Sequence, residues 1–115
     1  MAEVKGLIMV NEYELLELFE SEPKVLGDKK AGIYEYQKTC SHGFTFRLCL
    51  FLYDEYCSIS LYHKDLKTPI FDLGFDKVTN IKCKDNRLII DQTGNPKNIV
   101  VHFKPNYTLV FEDRI

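Results

Sequence analysis

The residues best suited to chemistry lie in one short segment, Thr39-Cys40-Ser41-His42-Gly43, where a thiol and an imidazole are two positions apart. Such a pair could begin a Cys–His catalytic site or a metal site. A nucleophile also needs an orienting group, and a metal ion needs further ligands, which this segment does not supply. The segment is more typical of a polar loop that joins two strands, and we adopt that interpretation.

The remaining histidines and the turn carboxylates are explained without catalysis. His63 and His102 fall within strand patterns, where a half-buried histidine is more common than a metal ligand or a base. Asp54 and Glu55 occupy a predicted turn, a position that polar residues commonly take. The sequence has no glycine-rich phosphate-binding loop. We therefore expect no catalytic residue, no metal and no cofactor, and a protein that acts by binding and is not an enzyme.

One helix is predicted near the N-terminus. Asn11 is a suitable N-cap, and Glu14, three residues later, completes a capping-box-like pair. Pro23 and Gly27 are expected to end the element. A one-sided apolar stripe at helical spacing comprises Leu15, Leu18 and Phe19, with Leu16 beside it. Because the stripe is one-sided, we expect this helix to lie on a sheet.

From Ala31 onward, apolar residues alternate at the two-residue period of a β-strand. Residues 44–53 and 56–63 predict a hairpin with a two-residue turn at Asp54-Glu55, which sets Tyr53 opposite Tyr56 and Arg47 opposite Tyr62. Cys49 and Cys57 then point to opposite faces and cannot form a disulfide. The core face of this hairpin comprises Phe44, Phe46, Leu48, Leu50, Leu52, Cys57, Ile59 and Leu61.

The C-terminal third predicts a meander in which Val101 faces both Leu88 and Leu109. The segment 70–75 fits this pattern less well, since a tight turn at Asp76-Lys77 would set Asp72 opposite Ile81. We expect a bulge at Gly74 or a longer loop there. The pairing of the last hairpin is also expected to set Phe103 opposite Tyr107.

These elements predict one α+β domain over residues 1–115. Its N-terminal helix would pack on a curved, mostly antiparallel sheet, a meander of about six to eight strands. The sequence leaves open whether the protein is a monomer or a homodimer, since a free sheet edge could pair with a second copy.

The overall charge excludes some functions. The formal net charge is −2 and the pI is about 5.9, so the basic footprint of a nucleic-acid-binding protein is missing. The apolar run at residues 7–10 is too short for a signal peptide or a membrane span, and no later stretch approaches that length. The four cysteines have no zinc-binding spacing. We expect a cytoplasmic protein with reduced thiols that binds neither nucleic acid nor membranes.

The predicted helix carries more negative charge than folding requires. Residues 11–22 contain five glutamates and no lysine or arginine, so no glutamate has a cationic partner within this segment. These glutamates could simply form the solvent-exposed side of the helix. Alternatively, Glu12, Glu17 and Glu20 could form a negative surface that steers a basic partner.

The non-core face of the predicted hairpin combines arginine with aromatic side chains, the residue types that dominate binding hot spots. This candidate binding surface includes the residues at the hairpin tip and comprises Arg47, Phe51, Tyr53, Asp54, Glu55, Tyr56 and Tyr62. The helix could instead cover this face and make it a second core layer. A ligand cavity between helix and sheet is a third, weaker alternative, because no converging polar groups can be named for it.

The helix of residues 11–20, the hairpin of residues 44–63 and the closing hairpin of residues 99–112 together resemble the bacterial immunity proteins of polymorphic toxin and contact-dependent growth inhibition systems. The resemblance implies a cytoplasmic protein that binds one cognate toxin domain and blocks its active site, often that of a nuclease. A toxin hairpin could also add to an exposed strand edge. The alternative function is a small ligand-binding β-domain or an enzyme that uses the concave face of the sheet.

Overall fold

The computed structural model describes residues 7–113, and within that range ten strands form two five-stranded sheets. The N-terminal sheet contains, in spatial order, Lys24–Val25 (β2), Ile33–Thr39 (β3), Phe44–Phe51 (β4), Tyr56–His63 (β5) and Phe71–Phe75 (β6). The C-terminal sheet contains Met9–Val10 (β1), Val78–Lys84 (β7), Arg87–Gln92 (β8), Lys97–His102 (β9) and Thr108–Asp113 (β10). Within the described residues one α-helix, Glu12–Phe19 (α1), lies between β1 and β2, and Lys29–Ala31 and Leu52–Asp54 form short 3₁₀ turns.

All strand pairs are antiparallel except β1–β7, which is parallel. The prediction of a β-rich α+β fold with mostly antiparallel pairing is therefore confirmed. The prediction of a single sheet with six to eight strands is wrong. Two sheets bury their apolar faces against each other, which a single sheet with one helix could do only in part. The predicted domain also includes residues 1–6 and 114–115, which lie outside the described residues.

The chain passes from one sheet to the other at Asp76-Lys77, where Lys77 has φ of 52°. Strand β6 pairs with β5, from Leu61 opposite Phe71 to Cys57 opposite Phe75, and does not pair with β7. The expected bulge at Gly74 or longer loop is therefore replaced by a crossover. The irregularity in this region lies in β7, between Val78 and Asn80.

The two sheets share one hydrophobic core. Its most deeply buried residues, each under 2% exposed, include Phe46, Leu48, Ile59, Leu88, Ile90 and Ile99, which come from both sheets. In the C-terminal sheet the predicted pairs of Val101 with Leu88 and Leu109 are confirmed. Phe103 and Tyr107 lie just beyond the end of this ladder, with their ring centroids 5.2 Å apart.

Helix α1 begins as predicted. The side-chain oxygen of Asn11 accepts hydrogen bonds from the backbone N–H groups of Tyr13 (3.0 Å) and Glu14 (3.2 Å). Its buried residues are Leu15, Leu18 and Phe19. The helix ends before Pro23, because Glu20 takes a left-handed conformation with φ of 57° and donates its N–H to the carbonyl oxygen of Leu16 at 2.8 Å.

Phe19 places this helix against both sheets. Its ring centroid lies 5.3 Å from that of Tyr36 and 6.2 Å from that of Phe46 in the N-terminal sheet. It also lies 5.3 Å from the ring of Phe103 at the end of β9. The helix therefore packs on the inner, core side of the N-terminal sheet.

The central hairpin has the predicted faces but not the predicted turn. Arg47 lies opposite Ser60 and Phe51 opposite Tyr56, so the register is shifted by two residues from the predicted one. A shift by two keeps every side chain on its face. The turn is longer because residues 52–54 form a 3₁₀ turn and Glu55 has φ of 52°.

Candidate functional site

Cys40 and His42 occupy a polar loop between β3 and β4, as predicted. The loop is closed by hydrogen bonds from Cys40 N to the Phe44 carbonyl (2.9 Å) and from Gly43 N to the Cys40 carbonyl (3.1 Å). Both residues line a small cavity of about 220 Å³ together with Phe44 and Tyr107. Among residues 7–113, no group of three or more His, Cys, Asp or Glu side chains could hold a metal ion.

The two other histidines have structural partners. His63 Nε2 lies 3.1 Å from the His42 carbonyl oxygen, and its Nδ1 accepts a hydrogen bond from the Asp65 backbone N–H at 3.1 Å. These bonds place the proton of a neutral His63 ring on Nε2. The side chain of His102 lies 3.8 Å from the carboxylate of Glu112 across β9 and β10. Neither arrangement places a nucleophile next to the histidine.

All four cysteines are free thiols. Burial raises the pKa of Cys57 and of Cys83 to about 12, and a nearby charge, that of Glu14, acts in the same direction on Cys83. Burial also raises the pKa of Cys49. Because the thiolate is the reactive form, these three side chains are poor nucleophiles at neutral pH.

The glutamates of the α1 segment differ in their surroundings. Glu14 Oε1 accepts a hydrogen bond from the backbone N–H of Cys83 on β7 at 3.2 Å, and does not return to its own N-cap. Glu20 lies 3.6 Å from Lys38 Nζ on β3, which also donates to the Leu18 carbonyl at 2.9 Å. Glu20 therefore has a cationic partner, which β3 supplies and the helix segment does not.

Three carboxylates of this segment are left exposed. Glu12, Glu17 and Glu22 form no ion pair with any lysine or arginine in the described part of the chain. We call these three residues the free carboxylates. Their charges are available to an external partner, whereas those of Glu14 and Glu20 already serve the fold.

The face of the hairpin that carries Arg47 lies on the outside of the N-terminal sheet. Phe46 contacts the Phe19 ring of α1, and consecutive residues of a strand point to opposite faces. The alternative in which the helix covers Arg47 is therefore wrong. No element within residues 7–113 makes this face a second core layer, and we call it the outer face.

Two aromatic contacts dominate the outer face. Arg47 donates a hydrogen bond to the hydroxyl of Tyr62, and its guanidinium carbon lies 4.9 Å from the centroid of that ring. Phe51 and Tyr56 form an edge-to-face pair with centroids 5.4 Å apart. Tyr53 has left the strand and lies at the turn beside Gly32, where it is 49% exposed. Asp54 and Glu55 follow it in the same turn.

The outer face is extended by residues that the sequence did not single out for binding. Ser60 donates a hydrogen bond to the side chain of Asp72 at 2.8 Å. Gly74 lies beneath the hydroxyl end of Tyr56, which occupies the space that a β-carbon would take. Strand β6, which the sequence placed in a different pairing, thus supports Ser60 and Tyr56 of the outer face.

A groove between α1 and the inner face of the N-terminal sheet has a volume of about 340 Å³. We call it the helix groove. Its lining comprises Val10, Glu12, Tyr13, Leu16, Glu22, Pro23, Tyr34, Tyr36, Leu50 and Leu52. The helix groove lies where the sequence allowed a ligand cavity between helix and sheet, an alternative for which no polar groups could be named. The structure supplies these groups as two carboxylates and three tyrosines.

The groove has a partly buried wall and an exposed rim. Tyr36 is 4% exposed, and burial followed by the charge of Glu12 raises its pKa to about 12. Tyr13 and Leu16 on α1 are 83% and 40% exposed. The sequence contained two signals of this groove. Leu16 lies just beside the predicted apolar stripe, and Tyr34 and Tyr36 have the two-residue spacing of one strand face.

No helix among residues 7–113 is both long enough and apolar enough to cross a membrane. No protein-family model matches the chain. No curated protein matches it in sequence.

The fold is similar to that of a chain in the solved structure of a contact-dependent growth inhibition toxin–immunity protein complex from Klebsiella pneumoniae 342. The TM-score is 0.75, and the match covers 95% of this chain and 99% of that chain. The sequences are 16% identical, so the similarity establishes a shared fold.

Proposed function

We propose that this chain is the immunity protein of a contact-dependent growth inhibition system, acting in the bacterial cytoplasm on one cognate toxin domain. The observation that carries the proposal is the fold shared over 95% of this chain with a chain of a toxin–immunity complex. The resemblance inferred from the helix and the two hairpins points to the same class of protein.

Charge favours the immunity role over the toxin role within such a pair. A nuclease binds the phosphate backbone through clustered lysine and arginine residues. This chain instead has a formal net charge of −2 and the three free carboxylates on its helix segment. Negative charge suits a protein that covers the basic substrate-binding face of a nuclease, and we infer that it neutralises the toxin by occluding its active site.

Two surfaces are the candidates for this contact. The free carboxylates Glu12 and Glu17 would steer a basic partner and raise the rate of association. On the outer face, Arg47, Phe51 and Tyr62 have the residue types of binding hot spots. A toxin that contacted both would have to reach around the edge of the N-terminal sheet, since α1 lies on the opposite side from Arg47.

The alternative of a ligand-binding domain or enzyme on a concave sheet face has less support. Much of the inner face of each sheet is filled by the shared core, in which Leu48 and Ile90 are fully buried. Burial raises the pKa of the Cys57 and Cys83 thiols, which therefore hold their protons at neutral pH, and Cys40, the thiol considered for catalysis, lies in a hydrogen-bonded polar loop. A binding role for the exposed surface therefore fits the structure better.

Co-expression tests the proposal directly. If a large reading frame adjoins this gene, its C-terminal domain is the toxin candidate and is placed under an inducible promoter. We expect growth arrest on induction, rescue by this chain, and co-purification of the two proteins. Arrest that this chain does not relieve, without co-purification, would contradict an immunity role. Arrest caused by this chain alone would identify it as the toxin member.

A further inference from the structure

We infer that the helix groove binds a single arginine side chain from a basic segment of the partner. This inference rests on the proposed function, because it names the chemistry by which the toxin would be recognised. It concerns a surface distinct from the outer face around Arg47, and the sequence alone did not indicate a ligand for it.

The charge in the groove selects a cation. Glu12 and Glu22 both line it, and no lysine or arginine of the described chain does so. Lys24 is close to Glu22 in sequence, but it lies opposite Glu35 of β3, which in turn lies opposite Cys49. These positions belong to the outer face of the sheet and not to the groove. Val25 pairs with Tyr34, on the groove side. An apolar side chain alone would remove water from two carboxylates without replacing their hydrogen bonds, which is costly.

The aromatic lining selects arginine over lysine. Tyr13, Tyr34 and Tyr36 contribute ring surface to the groove. A planar guanidinium stacks on tyrosine rings and donates paired hydrogen bonds to a carboxylate, while a lysine ammonium is a strongly hydrated point charge. The aliphatic part of an arginine would cover the apolar surface of Leu16 and Leu52, as long cationic side chains do elsewhere.

The size of the groove agrees with this occupant. A volume of about 340 Å³ lies near the lower end of the range for ligand sites. It therefore suits one long side chain and its adjacent backbone. A second copy of this chain is a less suitable occupant, because a symmetric contact would bring the same carboxylates together.

Titration of the full chain with the blocked peptide acetyl-glycyl-arginyl-glycine amide, followed by NMR, tests the site without any toxin. We expect saturable shifts of the Leu16, Tyr34 and Tyr36 amide signals at high peptide concentration. The same peptide with citrulline, a neutral analogue of arginine, should produce no saturable shift. Equal shifts with both peptides, or saturable shifts confined to other residues, would refute the inference.

Paired variants test the role of the carboxylates. Glu12→Gln combined with Glu22→Gln should weaken binding of the arginine peptide about tenfold or more, the effect of one charged hydrogen bond. The control combines Asp76→Asn with Asp85→Asn, which removes two exposed carboxylates that do not line the helix groove. The control should bind as the unmodified chain does. Equal weakening by both pairs would show a general charge effect and overturn the assignment.

The same variants, measured against the toxin domain, separate the two proposals. If the unmodified chain binds the toxin domain and the groove variant binds it equally well, the groove inference is wrong and the immunity function stands. If the unmodified chain binds the arginine peptide but neither binds the toxin domain nor protects against it, the immunity function is wrong and the groove remains an arginine site.

Discussion

The carboxylate of Glu14 on α1 accepts a hydrogen bond of 3.2 Å from the backbone N–H of Cys83 on β7. The two residues are 69 positions apart in the chain, and the bond ties the helix to the C-terminal sheet. Phe19, by contrast, joins the same helix to the N-terminal sheet through Tyr36 and Phe46. The helix is therefore anchored to both sheets through different residues.

This anchoring predicts the effect of changing Glu14. Glu14→Ala leaves a partly buried N–H without its partner and should lower the free energy of unfolding by about 1–2 kcal/mol. Glu14→Gln keeps an acceptor and should lower it by less. Glu17→Ala, on an exposed position of the same helix, is the control and should stay within about 0.5 kcal/mol. Urea denaturation measures all three, and equal values for Glu14→Ala and Glu17→Ala would contradict the anchoring role.

The close approach of Tyr56 to Gly74 predicts a coupled pair of substitutions. Gly74→Ala places a β-carbon where the Tyr56 hydroxyl now lies and should lower the free energy of unfolding by about 1–3 kcal/mol. In a Tyr56→Ser background the same substitution should cost little, because the space is then empty. Comparison of the four proteins in a double-mutant cycle checks this. An unchanged cost of Gly74→Ala in the Tyr56→Ser background would argue against the contact.

Buried thiol and phenol groups predict a loss of stability at alkaline pH. The pKa values of Cys57, Cys83, Tyr36 and Tyr107 are each raised to about 12, with burial as the largest cause. The unfolded chain releases these protons at lower pH than the folded chain does. The contribution of these groups to the free energy of unfolding is therefore fully present below their pKa values in the unfolded chain. It is lost as the pH rises toward about 12.

Urea unfolding from neutral pH to about pH 11 measures this loss. The free energy of unfolding should fall steadily above the usual pKa of a cysteine. In Cys57→Ala the fall should be shallower, since one of the contributing groups is gone. Parallel curves for the two proteins would show that Cys57 does not contribute to the pH dependence.

The free carboxylates predict a kinetic effect on toxin binding. Reversing Glu12 and Glu17 to lysine should slow association with a basic toxin domain about tenfold at low salt, and the difference should shrink as salt is added. Stopped-flow or surface-binding kinetics measure the rates, and thermal unfolding confirms that both proteins remain folded. An association rate that is the same at low salt would remove these two residues from the encounter surface.

Glu20→Lys provides a contrasting variant. Glu20 lies 3.6 Å from Lys38 Nζ, so its reversal places two cations together at the end of α1. This variant should lower stability as well as association rate, while the pair Glu12→Lys and Glu17→Lys, which breaks no ion pair of the described chain, should lower stability by less. The sequence grouped the three glutamates together, and only the strand that supplies Lys38 separates them.

The features predicted correctly depend on neighbouring residues. Asn11 caps the helix because its side chain reaches the N–H groups two and three residues ahead, which sequence spacing can indicate. The two faces of the hairpin are correct because alternation is a local property. The predicted two-residue turn at Asp54-Glu55 is wrong, because the 3₁₀ turn that begins at Leu52 lengthens the loop before Glu55. The resulting register shift of two residues leaves every side chain on its predicted face.

The features that were missed depend on distant pairing. The alternating pattern in β6 and β7 is the same whether these strands pair with each other or belong to different sheets. For this reason the crossover at Asp76-Lys77 could not be distinguished from a bulged hairpin. The helix groove was likewise hidden, because it requires Leu16 of the helix and Tyr34 of β3 to face each other.

Helix α1 divides its residues between two tasks. Leu15, Leu18 and Phe19 are buried in the core, whereas Glu12 and Glu17 are exposed and have no ion pair within residues 7–113. Substitutions at the exposed positions can therefore change which partner is recognised without loosening the core. Under the proposed immunity function, this separation would allow the exposed positions to change with the toxin while the core residues stay the same.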